Sequence, residues 1–172
     1  MSAPLRVAVL TVSDRSFRGE REDRGGPAVA DAARRLLGAE VVELLVVPDE
    51  KDDIVWNLTR LADNVLVDLV LTTGGTGLAE RDVTPEATRS VVSVELPGIP
   101  EAMRAASRAT FPAAMLSRQV AGVRGKTLVV NLPGSPRGAI ECLEAVAATL
   151  PHAVAMLRSD APDAHPTRDP RS

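Results

Sequence analysis

Residues Val65–Glu86 read VLVDLVLTTGGTGLAERDVTPE. The apolar, β-branched run Val65–Thr72 predicts a strand. Thr73–Gly77 (TGGTG) suits neither a helix nor a strand interior and reads as a loop. Thr84-Pro85-Glu86 marks a helix start, with Thr84 as N-cap and Pro85 at the first helical position. A strand, a glycine loop and a helix in that order form one step of a parallel βα crossover.

The same alternation extends in both directions. Leu5–Val12 predicts a buried strand that ends in Ser13-Asp14, and charged, glycine-containing Phe17–Gly26 predicts a flexible loop. Pro27–Leu37 has Val29, Ala33, Leu36 and Leu37 at helical spacing and stops at Gly38. Val41–Val47 reads as a second buried strand closed by Pro48-Asp49, and Glu50–Ala62 as a helix with acidic residues in its first turn. Beyond the central unit, helices are expected over Gly98–Ala109, from Ser135-Pro136 to Ala148, and over Pro151–Leu157, with a strand at Lys126–Asn131. The fold class is therefore α/β, a largely parallel sheet with helices on both faces. It is expected as one domain over residues 1–158, followed by a flexible tail over 159–172.

Composition narrows the function. The chain has 172 residues, 45% hydrophobic and 25% charged, with a net charge of −3. Its only aromatics are Phe17, Trp56 and Phe111, so the core is aliphatic. Binding of single-stranded nucleic acid calls for aromatic platforms on a basic surface, and this chain has neither, so no nucleic-acid partner is expected. No run of about 18 uncharged apolar residues is present, so no membrane span is expected. Without a secretory leader, and with Cys142 as the single cysteine, a cytoplasmic location is expected.

In open α/β sheets ligands collect beyond the carboxyl ends of the strands. Ser13-Asp14-Arg15, Pro48-Asp49-Glu50, Thr73–Asp82 and Leu132–Pro136 all follow predicted strands, so a parallel sheet brings them to one rim. Gly74, Gly75 and Gly77 permit a tight turn whose amides face a phosphate, helped by the hydroxyls of Thr73 and Thr76. The loop is neither a Walker A motif nor GxGxxG, and an unliganded βα turn is the alternative. Asp82 has no capping task and suits Mg²⁺, which takes one or two carboxylates together with substrate phosphates. Asp49 reads on spacing alone as the N-cap of the following helix. Ser135 reads as the N-cap of a helix whose start favours an anion, and Asp14 as either a site acid or loop polarity. Cys142, His152 and His165 form no nucleophile–base or metal pattern.

TTGGTGLAERDVTPEAT (Thr72–Thr88) resembles the signature of molybdenum-cofactor biosynthesis proteins of the MogA/MoaB type, relatives of the gephyrin G domain. Similar stretches are LTVSDR (Leu10–Arg15), VVPDE (Val46–Glu50), Ala113–Pro136 and PHAVAMLR (Pro151–Arg158). The resemblance implies a three-layer α/β/α molybdopterin-binding fold, a homotrimer, and adenylylation of molybdopterin with Mg²⁺ and ATP. The molybdate-inserting enzyme is the implied downstream partner. It places the phosphate loop on Gly74, Gly75, Thr76 and Gly77, and catalytic or Mg²⁺-linked carboxylates on Asp49 and Asp82, against the capping reading of Asp49. Pterin-side contacts fall on Ser107 and on Pro133, Gly134 and Ser135, and Ser13 and Asp14 join the substrate-binding set. Arg15, Arg81 and Arg118 are expected to supply positive charge. Where the family has an Asp-x-Ser-Gly stretch, this chain has Asp23-Arg24-Gly25-Gly26 and lacks the hydroxyl. A non-catalytic, MoaB-like pterin-binding scaffold is the alternative function.

Overall fold

In the computed structural model, which describes residues 3–159, β1 (Arg6–Val12) lies near the middle of the sheet and explains its own composition. Val7 and Val9 point into one apolar cluster, while Ala8, Leu10 and Val12 point into another. A strand covered on both faces reads as an unbroken apolar run. β3 (Leu69–Thr73) and β6 (Thr127–Leu132) are likewise buried along their whole length. β2 (Glu40–Val47), β1, β3 and β6 run parallel, and β5 (Ala121–Arg124) and β4 (Val94–Glu95) close the sheet antiparallel. The strand order is β2-β1-β3-β6-β5-β4.

Helices cover both faces. α2 (Gly25–Leu37), α5 (Gly98–Arg108), α6 (Pro136–Val146) and α7 (Leu150–Arg158) contribute to the first cluster, with Met103, Leu143 and Leu150 fully buried. α3 (Lys51–Arg60) and α4 (Thr84–Val91) cover the other face through Ile54, Leu58 and Ala87. Helix, sheet and helix make three layers, as the resemblance implied. A single turn, α1 (Asp14–Phe17), follows β1. Two further short pieces complete the chain, a π turn over Leu61–Val65 and a 3₁₀ turn over Pro112–Leu116.

Several local expectations change, among them the strand expected from Val65, which begins only at Leu69 because Leu61–Val65 forms a π turn. β2 is an edge strand and only Val47 is buried, so its apolar composition does not reflect two covered faces. Helix α2 begins two residues before Pro27, with Arg24 as N-cap, and Asp23 Oδ1 just ahead of it accepts from the Gly26 N–H at 3.0 Å. The N-cap of α4 is Val83, not Thr84; the Thr84 hydroxyl instead donates to the Gly74 carbonyl at 3.0 Å. β4 and β5 are too short to show a periodicity in the sequence. Gly38 does end α2, in the left-handed conformation at φ 60°. Among the described residues no single helix is long and apolar enough to cross a membrane. His165 and most of the expected tail lie outside the described residues.

Candidate functional site

The parallel strands bring the four predicted segments to one rim. The Ser13 N–H donates to Val47 O at 2.9 Å, and the Gly74 N–H to Leu132 O at 3.3 Å. Thr73 Oγ1 donates to Pro133 O at 2.8 Å, so the glycine loop and the Pro133–Ser135 turn are tied together. Gly74 and Gly75 adopt φ values of 102° and 65°. A Cβ on Gly74 would meet the Val12 carbonyl, and one on Gly75 would meet Thr84 Oγ1. Left-handed backbone and close approach both require glycine here.

Two carboxylates flank this loop. Asp82 Oδ2 accepts from the Ala79 N–H at 2.9 Å and lies 2.8 Å from where a Gly77 Cβ would stand. Asp49 Oδ1 lies 3.4 Å from the corresponding point of Gly75. The capping reading of Asp49 fails, because Glu50 is the N-cap of α3 and makes no side-chain cap bond. Asp49 and Asp14 instead exchange backbone bonds: the Asp14 N–H donates to Asp49 Oδ2 at 2.7 Å, and the Asp49 N–H to Asp14 Oδ1 at 3.0 Å.

Arg81 reaches over both loops. Its Nε and Nη2 bond Asp14 at 2.6 and 3.0 Å, and Nη2 also bonds Glu50 at 2.8 Å. The Arg81 guanidinium therefore holds the Asp14 carboxyl below the ordinary aspartate range. Asp49 moves the other way, pushed up chiefly by burial and further by the charges of Asp14 and Asp82. Proximity of like charges is what a divalent cation would relieve. Among the described residues no set of three His, Cys, Asp or Glu could hold a metal. Two carboxylates beside a glycine loop nevertheless suit Mg²⁺, which completes its shell with water and substrate phosphates.

The loop opens onto a cavity of about 830 Å³, large enough for a small-molecule substrate. Of the predicted residues, Gly75, Thr76, Gly77, Asp82, Ser107, Pro133, Gly134 and Ser135 line it. Ser13, Asp14, Asp49, Thr73 and Gly74 hold the rim without lining the cavity. The Ser13 hydroxyl accepts from the Ser16 N–H, and Ser135 N-caps α6 by accepting from the Gly138 N–H at 3.2 Å.

The expected arginines are placed differently. Arg81 and Arg118 are engaged in ion pairs, Arg15 is exposed on α1, and none of the three lines the cavity. Arg104 and Arg137 line it instead. Sequence reasoning also missed Phe111, Gln119 and Cys142 in its walls. Cys142 is buried in α6 as expected, yet its Sγ lies 3.7 Å from Ser107 Oγ and 3.6 Å from Gln119 Nε2 at the cavity wall. Arg104 stands three positions before Ser107 on α5, a helical spacing that was legible; Gln119 had no comparable signal.

Residues 8–152 match the family model described as a probable molybdopterin binding domain. The chain is 44% identical over 154 residues to the molybdopterin adenylyltransferase of Helicobacter pylori, covering 89% of this chain and 88% of that protein. It is 43% identical over 143 residues to the enzyme of the same name from Escherichia coli, covering 83% and 73% of the two chains. The crystal structure of the molybdopterin biosynthesis enzyme MoaB from Thermus thermophilus superposes with a TM-score of 0.83 at 51% identity, covering 89% of this chain and 96% of that one.

Proposed function

Since the chain belongs to the molybdopterin-binding domain family, we propose that it catalyses adenylylation of molybdopterin by ATP in molybdenum-cofactor biosynthesis. The observation that carries this reading is the rim itself: Asp49 and Asp82 flank a glycine loop that opens onto a substrate-sized cavity. An oxygen of the terminal phosphate of molybdopterin attacks the α-phosphorus of ATP. The new P–O bond forms as the bond to the bridging oxygen breaks, and pyrophosphate leaves with that bonding pair. The attacking phosphate is already ionised, so no general base is required. Orientation and charge neutralisation carry the rate.

The glycine-loop amides and the start of α6 suit the phosphates. Arg104 at the cavity supplies positive charge, and Arg137 lies beside it paired with Glu141 at 2.8 Å. Asp49 and Asp82 would hold Mg²⁺, which when bound neutralises charge on the phosphates. Ser107 and the Pro133–Ser135 turn form the pterin side. A homotrimer, which the family resemblance implies, a cytoplasmic location and delivery of product to a molybdate-inserting enzyme belong to the same proposal.

The test is AMP transfer by purified protein given Mg-ATP and molybdopterin, read as pyrophosphate release. Wild-type protein is expected to turn over, and Asp82→Asn to retain the fold while losing transfer. Absence of release from wild type overturns the reading in favour of a pterin-binding scaffold. Wild-type turnover in Asp82→Asn removes that carboxylate from the site.

A further inference from the structure

Arg118 lies on the segment between the Pro112–Leu116 turn and β5, away from the cavity lining, yet most of its bonds go to the loop that carries Asp82. Its backbone N–H donates to Thr76 O at 2.9 Å. Its Nε donates to Gly77 O at 2.8 Å and its Nη2 to Asp82 O at 2.5 Å. The remaining arm, Nη1, pairs with Glu86 in the first turn of α4. The neighbouring Ser117 hydroxyl donates to Thr76 Oγ1 at 3.4 Å, and Arg104 Nη1 donates to Ser117 O at 3.2 Å.

These contacts fall on three peptide units of one loop. A trans peptide is planar with its C=O and N–H opposed, so fixing a carbonyl also fixes the direction of the next amide. The Arg118 guanidinium thereby sets the planes after Gly77 and Asp82, and its backbone N–H the plane after Thr76. Glycine at positions 75 and 77 leaves this backbone free to take other conformations, so its geometry has to be imposed from elsewhere. A guanidinium can impose it because it presents several donors in one rigid plane; an ammonium is a single point charge.

Glu86 shows that the arrangement carries a cost. Among the buried side-chain oxygens and nitrogens of the described residues, Glu86 Oε2 alone has no hydrogen-bond partner. A buried acceptor left unmatched is destabilising, and such atoms are rare enough in folded proteins to call for a reason. Here the other oxygen of the same carboxylate holds Arg118 in place.

We propose that Arg118, braced by Glu86, is a positioning residue that fixes the Thr76–Asp82 loop, and with it Asp82, for phosphoryl chemistry without touching substrate. The proposal rests on the adenylyl-transfer reading for its kinetic consequence and on the loop bonds alone for its structural one.

The test compares Arg118→Lys, Arg118→Gln and Glu86→Gln with wild type. One measurement is steady-state kinetics with Mg-ATP and molybdopterin. The other is amide exchange at Ala79, Asp82 and Thr84, whose N–H groups bond Asp82 Oδ2, Ala79 O and Gly75 O within this loop. Both Arg118 variants are expected to lose about ten- to a hundredfold in kcat, with KM for ATP within about threefold. Glu86→Gln is expected to lose less but in the same sense, and the three amides are expected to exchange about tenfold faster while β3 and β6 stay protected. A preserved kcat with a raised KM would make Arg118 a substrate contact, and unchanged exchange would mean that it does not hold the loop; either overturns the proposal. If wild-type protein transfers no AMP, the functional reading fails, and the exchange comparison still decides the brace.

Discussion

Asp49 pairs its backbone and side chain with Asp14, and burial raises its affinity for a proton above that of a free aspartate. An acid whose folded pKa exceeds its unfolded value lowers stability as pH rises through that window, because the folded state is then the one forced to give up a proton. At pH 7 the ionised Asp49 is therefore a stability cost. Asp49→Asn keeps an oxygen able to accept the Asp14 N–H and deletes the charge. We expect this variant to lose activity by orders of magnitude while its melting temperature at pH 7 holds or rises. The stability gain should shrink as pH falls from above the ordinary aspartate range down into it. Parallel melting curves and pyrophosphate assays on one preparation check both halves. Full activity would return Asp49 to a purely structural role.

The entry to α2 provides a contrast between two adjacent glycines. A Cβ on Gly25 would rest 3.4 Å from the Thr73 side chain, an ordinary contact, whereas one on Gly26 would strike Thr11 Oγ1 and lie 2.5 Å from Asp23 Oδ2. Gly25→Ala is expected to stabilise by about 0.5 kcal/mol through the unfolded chain, and Gly26→Ala to destabilise by about 1–3 kcal/mol. Urea unfolding of the two variants distinguishes them; equal midpoints would refute the packing argument. Elements were legible in the sequence where composition and burial agree. β1, β3 and β6 are apolar because both their faces are covered. β2 carries the same residue types at an edge, where they face a partly open surface, so composition misstates its burial. The rim segments were legible because glycine, proline and acid residues punctuate strand ends. Gln119 and Cys142 were not, since they reach the cavity wall only when α6 packs against the segment before β5.

At the scale of the molecule, a domain with three aromatics leaves Trp56 63% and Leu66 65% exposed. The family resemblance implies a homotrimer, an assembly that would cover part of such surface. Light scattering is expected to give about three times the 18.1 kDa chain mass, and a concentration-independent monomer would contradict it. The arginines divide by task across the whole surface. Arg158 ties α7 to Asp68 at 2.5 Å and Arg124 holds Asp63 at 2.6 Å, while Arg137 at the cavity pairs with Glu141 at 2.8 Å and Arg104 lines it without an ion pair among the described residues. The pairing of β3 with β6 has a kinetic corollary. Leu69–Thr73 lies beside Leu128–Leu132, so the cavity's two loops meet only after a contact spanning about sixty residues has formed. Such a distant contact is slow to close and comes late. A chain still emerging from the ribosome has its glycine loop before the opposing turn exists, so the two-sided site forms only once Leu128–Leu132 has been made and has paired with Leu69–Thr73.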